Sequence, residues 1–374
     1  PVEWESPTEI LKVEMQEKAF VVSTKTPEGK VNNLYFTFPT MGGVRFNADT
    51  KGFFEPQDTS VINYSADGAA IVMQANDTKV KLFTTASPWR FEVYNAEDKM
   101  VTWYEADKIL FGYDEDGFLR KVKTASYVDE YETLFGLGER FGGFVQNGKT
   151  VEMWNADALS QLKVSYGDHN VGYKNVPLLH SNNGYTIFHN NNYYGIVDVG
   201  ESKKDECSFQ FYGPVLDMFI WTGNTTENID KYCSLTGSSV TVPKYALSYW
   251  AGQSSSMWKK DGEDAELILE TVKTNLQKYD ELNTPVKVIF MEGLGSDSKY
   301  GIIQDYLNQK DTKFLGWMDS SFRSFDEKYT AQDIANWVGL TSDKMPFVKW
   351  NYANLANYYG NSGEYYVDYS NPSS

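Results

Sequence analysis

The sequence predicts an antiparallel β-sandwich over residues 1–241, followed by parallel strand–helix units over residues 242–374. Two observations lead there. Up to about residue 240, short β-rich runs alternate with turns at close intervals, the punctuation of a sandwich. Beyond Pro243, apolar runs of strand length alternate with helical stripes, the pattern of βα units.

The elements follow in order. Residues 69–85 (AAIVMQANDTKVKLFTT) set two β-rich segments either side of Ala75-Asn76-Asp77, a hairpin pattern. Residues 89–104 repeat it, with WRFEVYN, a turn at Ala96-Glu97-Asp98, and MVTWY. Residues 184–199 and 207–221 supply further antiparallel strands. After Thr241-Val242-Pro243, residues 246–250 form a short β run. Ala265, Ile268, Leu269, Val272, Leu276 and Tyr279 then fall on one helical stripe. Residues 286–291 are a strand, 300–308 a helix, 314–318 a strand and 331–338 a helix. A closed (β/α)₈ barrel takes about 250 residues, and 133 residues run from 242 to 374. Either the sheet is open or a barrel is cut short. The lack of a terminal cap at Tyr369-Ser370-Asn371-Pro372 favours the second reading.

Composition excludes several functions. A net charge of −17 repels nucleic acid, which needs clustered Lys and Arg, and an anionic membrane surface. It permits a neutral ligand, although solubility alone accounts for it. Aromatic residues make up 16% of the chain, more than a core requires, which leaves ring faces for binding. Cys207 and Cys233 form no disulfide framework, and free thiols are the expectation. His169, His180 and His189 lack partners at metal or triad spacing, so neither zinc nor any other metal is expected, and no cofactor. The three histidines read as structural or solvent-facing. No run of 18 apolar residues occurs. A first residue of Pro rather than Met is read as a trimmed N-terminus, and the acidic, Asn- and Tyr-rich composition as an extracellular enzyme, with a cytoplasmic one left open. Asn63, Asn76 and Asn224 open glycosylation triplets of the kind that arise by chance in an Asn-rich chain.

Residues 134–158 (LFGLGERFGGFVQNGKTVEMWNADA) hold the densest chemistry. Gly136, Gly138, Gly142 and Gly143 permit a tight backbone. Trp154, Asn155 and Asp157 put a ring face beside several hydrogen-bonding groups, which suits a polyol. A dinucleotide fingerprint fails, because Gly136-x-Gly138 runs into Glu139-Arg140-Phe141 rather than completing GxGxxG before a helix. Arg140 is expected to pair with Glu139 or a nearby carboxylate and hold the loop.

Taken in order, these pieces resemble glycoside hydrolase family 31, the retaining α-glucosidases, α-xylosidases and related transglycosylases. FGLGERF (135–141) resembles the family's N-domain signature and EMWNADA (152–158) its substrate loop. VPKYALSYW (242–250) is similar to the lead-in to the family's barrel. VKVIFME (286–292) is similar to its second barrel strand, KFLGWMDSSF (313–322) to the third, and YYVDYSNPSS (365–374) to the segment before the fourth. The resemblance covers nearly the whole chain. It implies an N-terminal β-sandwich and the first three βα units of a (β/α)₈ barrel, with nucleophile and acid/base on sequence beyond Ser374, so no catalytic residue here. It also implies an α-linked oligosaccharide as substrate and the remaining C-terminal part of the same enzyme as partner.

The resemblance places Asp157 at the mouth of the barrel, gripping the +1 sugar; an Asx-turn or capping role is the alternative. Glu292 stands where the family commonly has an Asp that binds the −1 sugar, and the longer side chain moves the carboxylate by roughly 1.5 Å. An exposed strand-end charge is its other reading. Trp317 falls where the family lines the −1 subsite with an aromatic, against a core role. Trp250 and Trp258 flank the first βα loop, where one could stack on a glucosyl face, with core burial the preferred reading for Trp250. Asp319 is a candidate hydrogen-bonder at the rim. The competing functions are a non-catalytic carbohydrate-binding module, an α-xylosidase or α-glucan lyase variant, and a scaffold without a ligand.

Overall fold

The computed structural model describes residues 2–140, 143–155, 172, 174–253, 264–291, 301–316, 321–323, 347–349 and 364–367. It divides into two compact units, Pro1–Ser239 and Val240–Ser374.

The first unit is built from three antiparallel sheets. The eight-stranded sheet runs, edge to edge, Leu134–Gly136, Leu178–Ser181, Tyr185–His189, Asp217–Thr222, Val44–Asn47, Val31–Thr37, Ala19–Lys25 and Glu9–Gln16. A six-stranded sheet runs from Glu3–Glu5 through Ile109–Tyr113, Leu119–Tyr127, Glu206–Phe211 and Gly195–Val199 to Lys149–Met153. Five meandering strands from Asn63–Asp67 to Met100–Glu105 form the third. Both expected hairpins are present: Ala70–Ala75 pairs with Thr78–Phe83, and Arg90–Tyr94 with Met100–Glu105.

Alternating side chains explain the layering. In Thr78–Phe83 every second residue is buried, so one face meets the core and the other meets water. Phe36 and Phe46 of the eight-stranded sheet meet Phe91 of the five-stranded one at ring separations of 5.1 and 4.9 Å. His189 meets Phe209 of the six-stranded sheet at 4.2 Å. The eight-stranded sheet therefore faces both smaller sheets across one core. Its strand Asp217–Thr222 is buried at every position, because the outer face is covered too.

That cover is a helix, Thr225–Thr236, in a region the sequence pattern assigns to strands and turns. Phe219, Trp221 and Phe188 pack against Leu235 and Tyr232 of this helix. Asn224 and Glu227 form a reciprocal capping box at its start, and Gly237 ends it at φ 98°. The Asn-x-x-Glu spacing was the available signal, set among polar residues that give little amphipathic stripe. Lys231 on the helix reaches Asp77 at the tip of the first hairpin, whose carboxylate also accepts from Gly43 N at 3.0 Å. Both cysteines are free thiols, Cys207 buried and Cys233 partly so.

In the second unit three strands, Tyr249–Gln253, Val286–Met291 and Lys313–Gly316, pair in parallel in that order. Helix Ala265–Glu281 lies between the first and second strands in sequence, and Gly301–Gln309 between the second and third. Ile268, Val272, Leu276, Ile303 and Leu307 bury the helices against Ala251, Ile289 and Met291. Asp264 caps the first helix, accepting from Glu266 N at 2.8 Å. One boundary differs from the expectation: Lys244–Leu247 is a 3₁₀ turn and the strand starts at Tyr249. Pro243 fixes the backbone just before that turn, whose bonds close locally at Ala246 N→Pro243 O and Ser248 N→Tyr245 O. Strands Ser321–Arg323, Glu364–Val367 and Phe347–Lys349 form a separate antiparallel sheet. The helix expected at 331–338 lies outside the described residues. Among the described residues no helix is long and apolar enough to cross a membrane.

Candidate functional site

The site can be built upward from Leu134–Gly136, the edge strand of the eight-stranded sheet, and Lys149–Met153, the edge strand of the six-stranded one. Between them the chain turns sharply through Gly136, Leu137 and Gly138, all with positive φ (128°, 67° and 88°). A Cβ on Gly136 would sit 2.5 Å from Leu178 O, and one on Gly138 would sit 2.1 Å from Lys174 O. Both glycines are thus required by close backbone approach. Leu137 tolerates its conformation because its side chain is fully buried in the core.

Arg140 ties the two sheet edges together. Its Nε donates to Leu137 O at 3.2 Å, and its Nη2 donates to Glu152 O at 3.1 Å and to Asn175 Oδ1. Burial pushes its pKa down to about 10, so the guanidinium stays charged at neutral pH. Glu139 is turned away from Arg140 and meets Lys174 Nζ at 3.2 Å. Of the two partners expected for Arg140, Glu139 or a nearby carboxylate, the structure corrects Glu139. Adjacent residues on an extended chain point to opposite sides, and the Arg140 side finds backbone carbonyls. The Glu139–Lys174 pair is exposed and worth little.

Asn175 passes this order to the loop. Its N and Nδ2 both donate to Asn155 Oδ1 at 2.8 Å, and Nδ2 also donates to Gly172 O at 3.1 Å. Trp154 stands edge-on to Tyr194, with ring centroids 5.6 Å apart. The root of the loop is thereby fixed two residues before Asp157, by a residue that sequence reasoning missed. Asn175 lies 35 positions from Arg140, and no local pattern marks it. Among the described residues no cluster of three or more His, Cys, Asp or Glu could hold a metal. His180 and His189 are buried, the former bonded to Thr186 Oγ1 at 2.8 Å, and His169 lies outside the described residues.

Residues 33–198 match the glycosyl hydrolase 31 N-terminal galactose mutarotase-like domain. These residues carry the N-terminal domain of glycoside hydrolase family 31. Curated relatives include the isomaltosyltransferase of Sporosarcina globispora, 22% identical over 348 residues, covering 88% of this chain and 30% of that protein. An α-xylosidase of Emericella nidulans is 32% identical over 32% of this chain and 14% of its own length. The family 31 dextranase of Flavobacterium johnsoniae, solved with glucose, shares the fold at a TM-score of 0.74 and 15% identity, over 98% of this chain and 45% of that one. The Listeria monocytogenes cycloalternan-forming enzyme, solved with a pentasaccharide, aligns at 0.75 and 15% identity, over 99% and 37%. The chain thus spans less than a third of the curated relatives it matches.

Beyond that domain, Trp250 lies on Tyr249–Gln253 opposite Val288 and is 41% exposed, so the core burial expected of it is not seen. Asp157, Trp258, Glu292, Trp317 and Asp319 lie outside the described residues. Glu292 directly follows strand Val286–Met291, and Trp317 directly follows Lys313–Gly316.

Proposed function

We propose that this chain is the N-terminal part of a retaining α-glycoside hydrolase or transglycosylase acting on α-gluco-oligosaccharides. The observation that carries the reading is one combination: a family 31 sandwich domain joined in the same chain to a parallel strand–helix–strand–helix–strand run. The relatives named as isomaltosyltransferase, dextranase and cycloalternan-forming enzyme support α-linked glucose as the sugar. Residues 1–241 are then the sandwich and 242–374 the first three βα units of a (β/α)₈ barrel.

Barrel chemistry sits at the C-terminal ends of the strands. Glu292 and Trp317 occupy those places in sequence, with Asp319 just beyond and Trp258 in the first βα loop. In this reading Glu292 holds hydroxyls of the −1 sugar, Trp317 lines its apolar face, and Trp250 and Trp258 flank the approach. Asp157 grips the +1 sugar from a loop rooted by Arg140, Asn175 and Asn155. In this reading the reacting pair of carboxylates lies outside these residues. One carboxylate attacks the anomeric carbon while the other protonates the leaving oxygen; water or a sugar hydroxyl then releases the glycosyl group with retention.

The test is turnover of isomaltose, dextran and p-nitrophenyl α-glucoside by the full-length protein, with the first-formed anomer read by NMR. The α-anomer is expected, together with a large loss of kcat/KM in Glu292→Gln. Turnover confined to α-xylosides would move the substrate class to pentosides. A β-anomer as first product would overturn retention.

A further inference from the structure

Apart from the residues discussed so far, one hollow on the first unit combines ring faces with fixed polar groups. Trp103 comes from Met100–Glu105, the edge strand of the five-stranded sheet, and Tyr127 from the end of Leu119–Tyr127. Their ring centroids are 5.7 Å apart and their planes are inclined by 32°, so the pair forms a shallow open angle. Tyr127 is 43% exposed and Trp103 partly so. A pair serving only to pack would be covered.

The charged groups around the rings are pre-positioned. Glu206 Oε2 accepts from Lys108 Nζ at 2.9 Å and from Lys203 Nζ at 3.2 Å, and Lys203 lies 3.7 Å from Asp205 Oδ1. The turn that carries them is closed by Glu206 N→Lys203 O at 3.0 Å. It is tied beside Tyr127 by Val128 N→Asp205 O at 2.9 Å. With Glu105 completing the rim, two ammonium groups face three carboxylates. Such a near-balanced set, on a chain of net charge −17, neither attracts a polyanion nor concentrates cations. It offers donors and acceptors to hydroxyls while the rings offer an apolar face, the two halves of sugar recognition. The hollow encloses about 50 Å³, far below the roughly 300–1,000 Å³ of pockets that engulf a small ligand. It therefore fits the face of an extended polymer better than a free monosaccharide.

We propose that Trp103 and Tyr127 form a surface platform that binds a neutral polysaccharide chain, built wholly from residues of the first unit. The choice of an α-glucan as probe rests on the function proposed above; the platform itself does not.

The experiment is affinity electrophoresis of the full-length protein in gels containing dextran, run beside turnover of p-nitrophenyl α-glucoside. The unsubstituted protein should be retarded. Tyr127→Ala and Trp103→Ala should weaken retardation about tenfold, equivalent to roughly 1.4 kcal/mol, while Trp103→Phe retains most of it and turnover of the small substrate is unchanged. Tyr127 is exposed enough for its alanine variant to fold, and melting curves check each variant. No retardation of the unsubstituted protein, or retardation that survives both alanine variants, overturns the platform. Retardation that depends on Trp103 and Tyr127 in a protein with no glycosidase or transferase activity upholds the platform and defeats the catalytic reading instead.

Discussion

Arg45 and Asp217 meet side by side, Nε to Oδ1 at 2.8 Å and Nη2 to Oδ2 at 2.7 Å, across 172 positions of sequence. Both side chains are out of water. Asp217 also accepts from Gly52 N and Asn190 Nδ2, each at 2.8 Å. The other side of the guanidinium serves Glu55, and its face lies over Phe219 at 5.1 Å. Burial alone would lower the Arg45 pKa, but the hydrogen bonds to Asp217 and Glu55 outweigh it and raise the pKa above its ordinary value. The network closes the centre of the eight-stranded sheet, where Val44–Asn47 lies beside Asp217–Thr222.

Breaking one side of such a pair strands a buried charge, which costs about 3–5 kcal/mol, whereas replacing both partners by apolar groups costs far less. Asp217→Ala should therefore be strongly destabilised in urea unfolding, and Arg45→Met combined with Asp217→Leu should recover most of the loss. A double variant no more stable than Asp217→Ala would show that the hydrogen bonds to Gly52 and Asn190, and not the charge pair, carry the site.

Arg140 is a different case, because among the described residues its partners are mainly carbonyls. Lysine cannot reach Leu137 O, Glu152 O and Asn175 Oδ1 together, since it lacks the planar fork. Arg140→Lys should cost about 2 kcal/mol through stranded acceptors, a fall in melting temperature of roughly 4–8 °C for a domain of this size. If the loop root positions a substrate contact, Asn175→Ala should raise KM for an oligosaccharide more than for a p-nitrophenyl monosaccharide. Equal changes for both substrates would confine the network to stability.

The contrast between these networks explains what was legible in the sequence. Period-two alternation in 78–83 and the stripe from Ala265 to Tyr279 are imposed by local geometry, so both the hairpins and the βα run could be read directly. Helix Thr225–Thr236 was not, since its buried face is supplied by Phe188, Phe219 and Trp221 from other strands rather than by a strong stripe of its own. The glycines of FGLGERF announce a tight turn, but the carbonyls that make them necessary, Leu178 O and Lys174 O, arrive from about 40 residues away. The Glu139–Arg140 expectation failed for the same reason: Glu139 meets Lys174, a partner brought in by the fold, rather than its neighbour in sequence.

Gly138 offers a sharp test of that point. At φ 88°, with Lys174 O 2.1 Å from the position of a Cβ, an added methyl meets both strain and a backbone clash. Gly138→Ala should lose more than the roughly 1–3 kcal/mol of a strained conformation alone. Gly143→Ala shares a positive φ of 95° but has open space around it, and should lose about 1 kcal/mol. Equal losses at the two positions would mean that the turn yields to accommodate the methyl, and that close approach is not what selects glycine there.

His189 sets the response to acid. Its ring is buried between Phe209 at 4.2 Å and Phe211 at 5.4 Å, and Nε2 has no hydrogen-bond partner among the described residues. Burial pushes its pKa from 6.5 down to about 3. The unfolded chain then binds a proton below pH 6.5 that the folded chain refuses. Stability contributed by the neutral ring is complete above pH 6.5 and is lost progressively as pH falls toward 3, at no more than about 1.4 kcal/mol per pH unit. His189→Phe keeps a ring between the two phenylalanines and removes the titration. Urea unfolding at pH 7, 5.5 and 4 should show the variant losing less stability than the parent over that interval. Carboxylates that titrate in both proteins cancel in the difference. Parallel pH profiles would show that the folded protein admits the proton at His189, by water entry or local opening, and that the buried imidazole does not govern acid sensitivity.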